Sequence, residues 1–427
     1  MKLIALLAAA AFVAPDDTTL ADRNARGQQA DRGAAGASLS ADGRYVAFVS
    51  DATNLVRGFR ESLVDVFVRD LRTGRVEIVS RATGKNGTTG DEGSDSPAIS
   101  GDGRFVAFEG GRDLHPDAPR DYGPILLRDR KRHTTVLVSR ASGARGATAN
   151  DAAENASISH DGRFVAFQSE ASNLHPGDHD HRTDVFVRDV KRNRTLLVSR
   201  ANGVSENPSM SADGRYVAFE STANNLNPAD TDTARDVYVK DLRTGRTLLV
   251  SRAPGLDGVK GDGRAMNPAI SADGRFVAFE FWRGSNLHPD DTDRKRDVYV
   301  RDLRTGETTL VSRADGHQGV KQNGSAYDPS ISADGRLVSF ETTARNLDPA
   351  DTDSAYDVYV RDIVAGTTRL VSRAAGAAGA KATGGERFSS EGGVLAANGR
   401  SIAFDSDATN LDPDDRDDDF DVFLRGL

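Results

Sequence analysis

The chain has 427 residues, a net charge of −9, 28% charged and 37% hydrophobic residues, and no cysteine. The missing cysteine excludes disulfides, zinc–thiolate sites, a cysteine nucleophile and a lipid-modified cysteine anchor. An acidic balance without a basic block argues against nucleic-acid binding, and no apolar run is long enough to span a bilayer.

Met1-Lys2, followed by the apolar run Leu3 to Val13 and small residues, reads as a short secretory signal with cleavage expected near Ala10 to Ala14. The other reading is a disordered, uncleaved N-terminus. The expected division is therefore a signal peptide at 1–14 and one domain over 15–427. Export to the periplasm or the medium follows from this division.

Next comes an isolated strand-like segment, Thr18-Thr19-Leu20-Ala21-Asp22-Arg23. Seven copies of a motif close to S-A-D-G-R-[YF]-V-A-F follow it. Their turns start at Asp42, Asp102, Asp161, Asp213, Asp273, Asp334 and Asn398, so the successive gaps are 60, 59, 52, 60, 61 and 64 residues. A period of this size means a repeat architecture. In the fourth copy the strand-like segments are Pro208–Ser211, Arg215–Glu220, Asp236–Leu242 and Thr247–Ser251. They are short, rich in β-branched and aromatic residues, and separated by turn residues. Asp213-Gly214 signals a tight hairpin, and Leu242 to Arg246 fits a three-residue loop with Gly245 left-handed. Segments such as Tyr45-Val46-Ala47-Phe48 are apolar on both faces, as in a sheet covered on both sides.

Four antiparallel strands per repeat is the unit of a β-propeller blade. The seventh copy stops after Asp421-Val422-Phe423-Leu424, one strand short. The segment at Thr18 resembles Thr308-Thr309-Leu310-Val311-Ser312-Arg313, the fourth strand of another copy. The expectation is an all-β, seven-bladed propeller closed by the N-terminal strand in the last blade, which leaves no open edge. An open β-solenoid would not explain the matching leftover ends.

Between the second and third strands lies N-L-x-P-x-D-x-D-x-x-x-D, of constant length in all seven blades. Five blades keep its first two aspartates: Asp178 and Asp180, Asp230 and Asp232, Asp291 and Asp293, Asp351 and Asp353, Asp415 and Asp417. Blade 1 has Phe59 and Glu61 there, and blade 2 has Ala118 and Arg120. Alternate carboxylates on a tight loop converge on a hard cation, and calcium is the candidate. A solvated acidic turn held by side-chain-to-backbone hydrogen bonds is the competing reading. The third aspartate persists in blade 1 as Asp65, so it has another job. Counting across the hairpin sets Asp65 opposite Arg81, Asp184 opposite Arg200, Asp236 opposite Arg252, Asp297 opposite Arg313, Asp357 opposite Arg373 and Asp421 opposite Arg23. Six cross-strand ion pairs are expected.

Three local departures stand out. His175, His179 and His181 interleave with Asp178 and Asp180, either as a transition-metal set or as plain loop variation. Trp282, the only tryptophan, sits beside a one-residue insertion, to stack on a sugar or to pack on the next blade. Asn207, Asn267 and Asp328 precede the prolines of innermost strands and are candidates for the channel mouth.

The S-x-D-G-[RK]-x-[VI]-A-F core, carried by the copies at Ser40, Ser100, Ser159, Ser211, Ser271 and Ser332, resembles the WD-like propeller repeat of TolB-type periplasmic proteins. The resemblance implies the propeller alone, without TolB's N-terminal α/β domain. It also extends to exported propeller-only proteins with N-L-x-P-x-D-T-[DN] loops.

The long loops leave from one face of such a ring, and binding sites favour loops on a rigid scaffold. The leading expectation is a monomeric, exported, non-enzymatic binding or scaffold protein that meets a protein or glycan through that face. The alternative is a polysaccharide-active enzyme, a glycosidase or lyase, which needs carboxylates that break the symmetry of the ring. No G-x-S-x-G hydrolase motif and no sialidase-type S-x-D-x-G-x-x-W box occurs.

Overall fold

The computed structural model describes residues 13–59, 63–119, 121–383 and 390–427. Most of the expected signal peptide, and Glu61 and Arg120 of the loops, lie outside these residues. Among the described residues, 28 strands form seven four-stranded antiparallel sheets, and one 3-10 turn is the only helical element. Six sheets use four consecutive strands each. The seventh joins Glu391–Leu395, Ser401–Ser406 and Asp421–Gly426 to Thr18–Leu20.

Blades are covered on both faces, as the apolar strands require. Val237, Tyr238 and Val239 of blade 4 are almost fully buried. Val237 and Val239 share one apolar cluster with Ile270 and Val277 of blade 5. This interface is thus built from the second and third strands of blade 4 and the first two strands of blade 5, with Ala218 in the same cluster.

The repeated motif serves this packing. In blade 4 Asp213 Oδ1 accepts hydrogen bonds from Ser211 Oγ (2.8 Å) and Arg215 N (2.9 Å), while Ser211 Oγ accepts from Tyr216 N. The Arg215 guanidinium lies over the Tyr216 ring and clasps Asp241 with two hydrogen bonds, at 3.0 and 2.6 Å. Gly214 has φ +70°, and any side chain there would strike Phe164 of the preceding blade. The motif is a turn, a strand clasp and a blade contact at once.

A second device joins neighbours. Arg301, on the third strand of blade 5, is buried. It donates to the carbonyl oxygens of Arg252, Ala253 and Gly255 in the loop that leaves blade 4 (3.0, 3.0 and 2.7 Å) and to Thr308 Oγ1. Arg425 does the same for Arg373, Ala374 and Gly376. Arg69 of blade 1 holds the carbonyls of Ala21 and Arg23 and so grips the N-terminal strap.

The expected closure is present. Thr18, Thr19 and Leu20 pair with Arg425, Leu424 and Phe423. One local detail differs. Lys240 pairs with Thr247, and Asp241 N bonds Arg246 O at 2.9 Å, so the second hairpin has four loop residues, not three. Gly245 is left-handed as expected, with φ +75°. The extra residue moves the partner of each third aspartate by one position.

Candidate functional site: an acidic loop ring and a channel mouth

Five loops bring three aspartates together: Asp178, Asp180 and Asp184; Asp230, Asp232 and Asp236; Asp291, Asp293 and Asp297; Asp351, Asp353 and Asp357; Asp415, Asp417 and Asp421. In each set one oxygen per residue lies within 4.8 Å of the others. These are carboxylate sets able to hold a metal ion. The third aspartate belongs to the set, which the sequence reading had assigned to an arginine.

In blades 4, 5 and 6 the chain itself supplies the cation. Lys260 Nζ lies 3.7, 3.0 and 2.8 Å from Asp230, Asp232 and Asp236. Lys321 lies 3.5, 2.8 and 2.8 Å from Asp291, Asp293 and Asp297. Lys381 lies 3.7, 2.9 and 2.9 Å from Asp351, Asp353 and Asp357. Each lysine comes from the loop that leads to the next blade. The first aspartate also accepts a buried tyrosine hydroxyl: Tyr238 to Asp230, Tyr299 to Asp291 (2.7 Å) and Tyr359 to Asp351 (2.8 Å). Burial raises Asp236 and Asp297 to about 6 and Asp357 to about 7, against the opposing pull of the lysines. In these three blades an ammonium already stands among the candidate calcium ligands Asp230, Asp232, Asp291, Asp293, Asp351 and Asp353, as an internal ion pair.

Blades 3 and 7 differ in both features. Their third strands carry Phe186 and Phe423 where blades 4 to 6 carry tyrosine. In blade 3 Asp184 accepts the Ser199 hydroxyl and Asp180 pairs with Arg182 at 3.0 Å. In blade 7 the neutral Gln29 stands where the lysine would be, donating from Nε2 to Asp415 (3.1 Å) and Asp421 (2.9 Å). Burial and the facing Asp421 raise Asp415 to about 6. In blade 1 Phe59 replaces the first aspartate and packs edge-on against Phe67.

The six expected aspartate–arginine pairs do not form. The residue opposite the third aspartate is the preceding serine in blades 1 and 3 to 6, and Asp22 in blade 7. Ser80, Ser251, Ser312 and Ser372 donate to Asp65, Asp236, Asp297 and Asp357 at 2.6 to 2.8 Å. Four-residue hairpin loops cause this shift, because one residue of register exchanges one strand face for the other. The arginines lie on the other strand face and bond elsewhere. Arg81 and Arg252 donate to the carbonyls of Gly87 and Gly258. Arg313 pairs with Asp290, Arg373 with Asp348, and Arg23 with Asp412 and Asp414.

Asn207, Asn267 and Asp328 do line the channel mouth, in a cavity of about 410 Å³ shared with Ser96, Asn155 and Gly392. Each innermost strand has one left-handed residue there: Gly36, Ser96, Asn155, Asn207, Asn267, Asp328 and Gly392. Asparagine, aspartate and glycine tolerate that conformation best. The side chains form a belt, Asn155 to Asn207 (2.9 Å), Asn207 to Asn267 (3.0 Å) and Asn267 to Asp328 (3.1 Å). Behind it, in six of the seven blades an acceptor that follows the A-F or S-F pair takes the backbone N–H of the left-handed residue in the next blade, whereas blade 1 has Val49 there and Ser96 N bonds Asp95. The pairs are Glu109 with Asn155, Gln168 with Asn207, Glu220 with Asn267, Glu280 with Asp328, Glu341 with Gly392 and Asp405 with Gly36. Burial raises Glu280 and Asp405 to about 7 and Glu341 to about 8. The sequence reading missed this ring. Its signal was an acid or amide recurring one position after that aromatic.

Trp282 ends the second strand of blade 5, half-buried, with the guanidinium groups of Arg283, Arg296 and Arg264 at 4.2, 5.2 and 5.8 Å from its ring. Arg296 also pairs with Glu280 at 2.9 Å and covers Tyr327. His175 Nδ1 accepts a bond from Gly177 N within its own loop, and the aspartate set of that loop contains no histidine.

No family model and no curated protein matches the chain. Solved structures do. An oligogalacturonate lyase in complex with manganese is 15% identical over 97% of this chain and 92% of that one, with a TM-score of 0.54. An oligogalacturonate lyase from Vibrio parahaemolyticus is 12% identical over 96% and 91%, also at 0.54. A putative TolB from Agrobacterium tumefaciens is 15% identical over 67% and 86%, at 0.40, a likeness too loose to argue from. Identities this low establish a shared propeller fold and no shared activity.

Proposed function

We propose that the chain is an exported, monomeric, non-enzymatic propeller that binds a partner on its long-loop face, with calcium ordering the acidic loops of blades 3 and 7. The observation that carries this reading is the channel mouth. It is concave, it is lined by the innermost strands of six blades, and its polar groups are fixed by left-handed backbone and a hydrogen-bonded belt. Asp328 lines it, and Asp95, Glu154, Glu206 and Glu391 are the sequence neighbours of its lining residues Ser96, Asn155, Asn207 and Gly392. Of the two partner classes, protein and glycan, this charge favours a protein that presents lysine or arginine. The test is binding of the purified chain to arrays of basic, neutral and acidic peptides and to a glycan array. Basic peptides should bind, more weakly with added salt and with Asp328→Asn plus Glu391→Gln. Equal binding by that variant would overturn the reading.

A polysaccharide-active enzyme has one observation in its favour: Trp282, ringed by three arginines beside Glu280, is a platform suited to an acidic sugar. Incubation with oligouronides, followed by the ultraviolet absorbance of an unsaturated product, tests it. A flat trace removes lyase activity on those sugars.

A further inference from the structure

The seventh aspartate set differs from the rest in a way that involves both ends of the described chain. In blades 4, 5 and 6 the third aspartate faces a serine and a lysine. In blade 7 the N-terminal strap provides both positions. Asp22 stands where the others have serine, accepting Val422 N on Oδ1 as Ser251 Oγ accepts Val237 N. Gln29 stands where the others have lysine and reaches Asp421 across 392 residues of sequence. Relative to its neighbours, blade 7 therefore gains one buried negative charge and loses one positive charge. The deficit is two charges, that of a divalent cation.

Two further observations point to a ligand. Asp22 is wholly buried, and no donor from another residue type reaches its Oδ2, because its carboxyl faces that of Asp421. Nearby guanidinium groups are engaged elsewhere: Arg69 with the carbonyls of Ala21 and Arg23, and Arg23 with Asp412 and Asp414. In addition, Phe423 replaces the tyrosine that elsewhere donates to the first aspartate, so Asp415 keeps an oxygen available. The substitutions Ser to Asp, Lys to Gln and Tyr to Phe each remove a donor or add an acceptor.

We propose that blade 7 binds one calcium-class divalent cation through Asp415, Asp417 and Asp421, supported by Asp22, and that this ion latches the N-terminal strap onto the last blade and so closes the ring. The inference deepens the calcium reading above and rests on it. Oxygen-only donors suit a hard cation of flexible coordination, and rotation of the Gln29 amide would add a neutral oxygen. Closure of the propeller then depends on the cation concentration around it, whereas interfaces 4–5, 5–6 and 6–7 carry their own ammonium.

The test compares the full chain with Asp22→Ser plus Gln29→Lys, which rebuilds the lysine-filled arrangement of blade 5, and with Asp180→Asn, which disables the blade 3 set. Calcium binding is read by calorimetry and melting temperature is read with calcium and with chelator. The full chain should bind calcium and melt higher with it. The Asp22→Ser plus Gln29→Lys variant should lose one site and the part of the calcium shift that the blade 7 site supplies, while Asp180→Asn keeps the blade 7 site and that part of the shift. Calcium heat that survives the double change but vanishes in Asp180→Asn overturns the latch and leaves the blade 3 reading standing. No calcium heat in any protein overturns both.

Discussion

Replacing Lys321 with glutamine would give blade 5 one of the three features that set blade 7 apart, while Ser312 and Tyr299 stay in place. Lys321 Nζ is 2.8 Å from Asp297, 2.8 Å from Asp293 and 3.5 Å from Asp291, and the side chains of Asp291 and Asp297 are 0% exposed. Removing one partner from a buried ion pair leaves an uncompensated charge, a cost of about 3–5 kcal/mol. Lys321 itself keeps 10% of its side chain exposed, so little of that cost is screened. Asp297 is already raised by burial to about 6, with Lys321 pulling it down. Losing the lysine raises it further, so the variant takes up a proton on folding near neutral pH. The destabilisation should then be largest at about pH 8 and should shrink towards pH 5, where the proton replaces the ammonium. Denaturant unfolding at the two pH values reads this directly, and calcium should restore part of the loss at pH 8. A variant as stable as the parent at pH 8, with no response to calcium, would refute the view that these lysines neutralise the sets.

Three other outcomes follow from the packing. Gly274→Ala should destabilise by about 2–4 kcal/mol in thermal unfolding, because Gly274 has φ +74° and its methyl would enter the Tyr216 ring. Arg301→Met should cost about 3 kcal/mol in denaturant unfolding, since the carbonyls of Arg252, Ala253 and Gly255 lose their shared donor. Stability should fall as pH rises from about 5 to 8. Glu280, Glu341 and Asp405 are raised by burial to about 7, 8 and 7, so the folded chain holds protons that the unfolded chain releases above its ordinary carboxyl range. Each group contributes at most about 1.4 kcal/mol per pH unit in that window, and Glu341→Gln should flatten the profile of melting temperature against pH.

The sequence by itself determined the blades, their number and the closure. Those features are local and repeated: Asp213-Gly214 makes its turn from its own side chains, the strand period is two, and the leftover Thr18–Leu20 matches a fourth strand wherever it lies. The aspartate sets were legible as far as their first two members, because those share one short loop. Tertiary structure decided what fills the sets. A single extra hairpin residue put Ser251 rather than Arg252 opposite Asp236, and register by one residue is finer than turn chemistry alone specifies. Lys260, Lys321 and Lys381 each stand 28 residues after the second aspartate of their set, but that interval spans a whole hairpin and part of a loop, and only the folded chain shows that it returns an ammonium to the carboxylates. The belt from Asn155 to Asp328 joins residues from four blades, and the Asp22–Asp421 contact joins the two ends of the chain. Such neighbours meet only when the ring closes, because the period that reveals a blade carries no information about which side chains converge on its axis or across its seam.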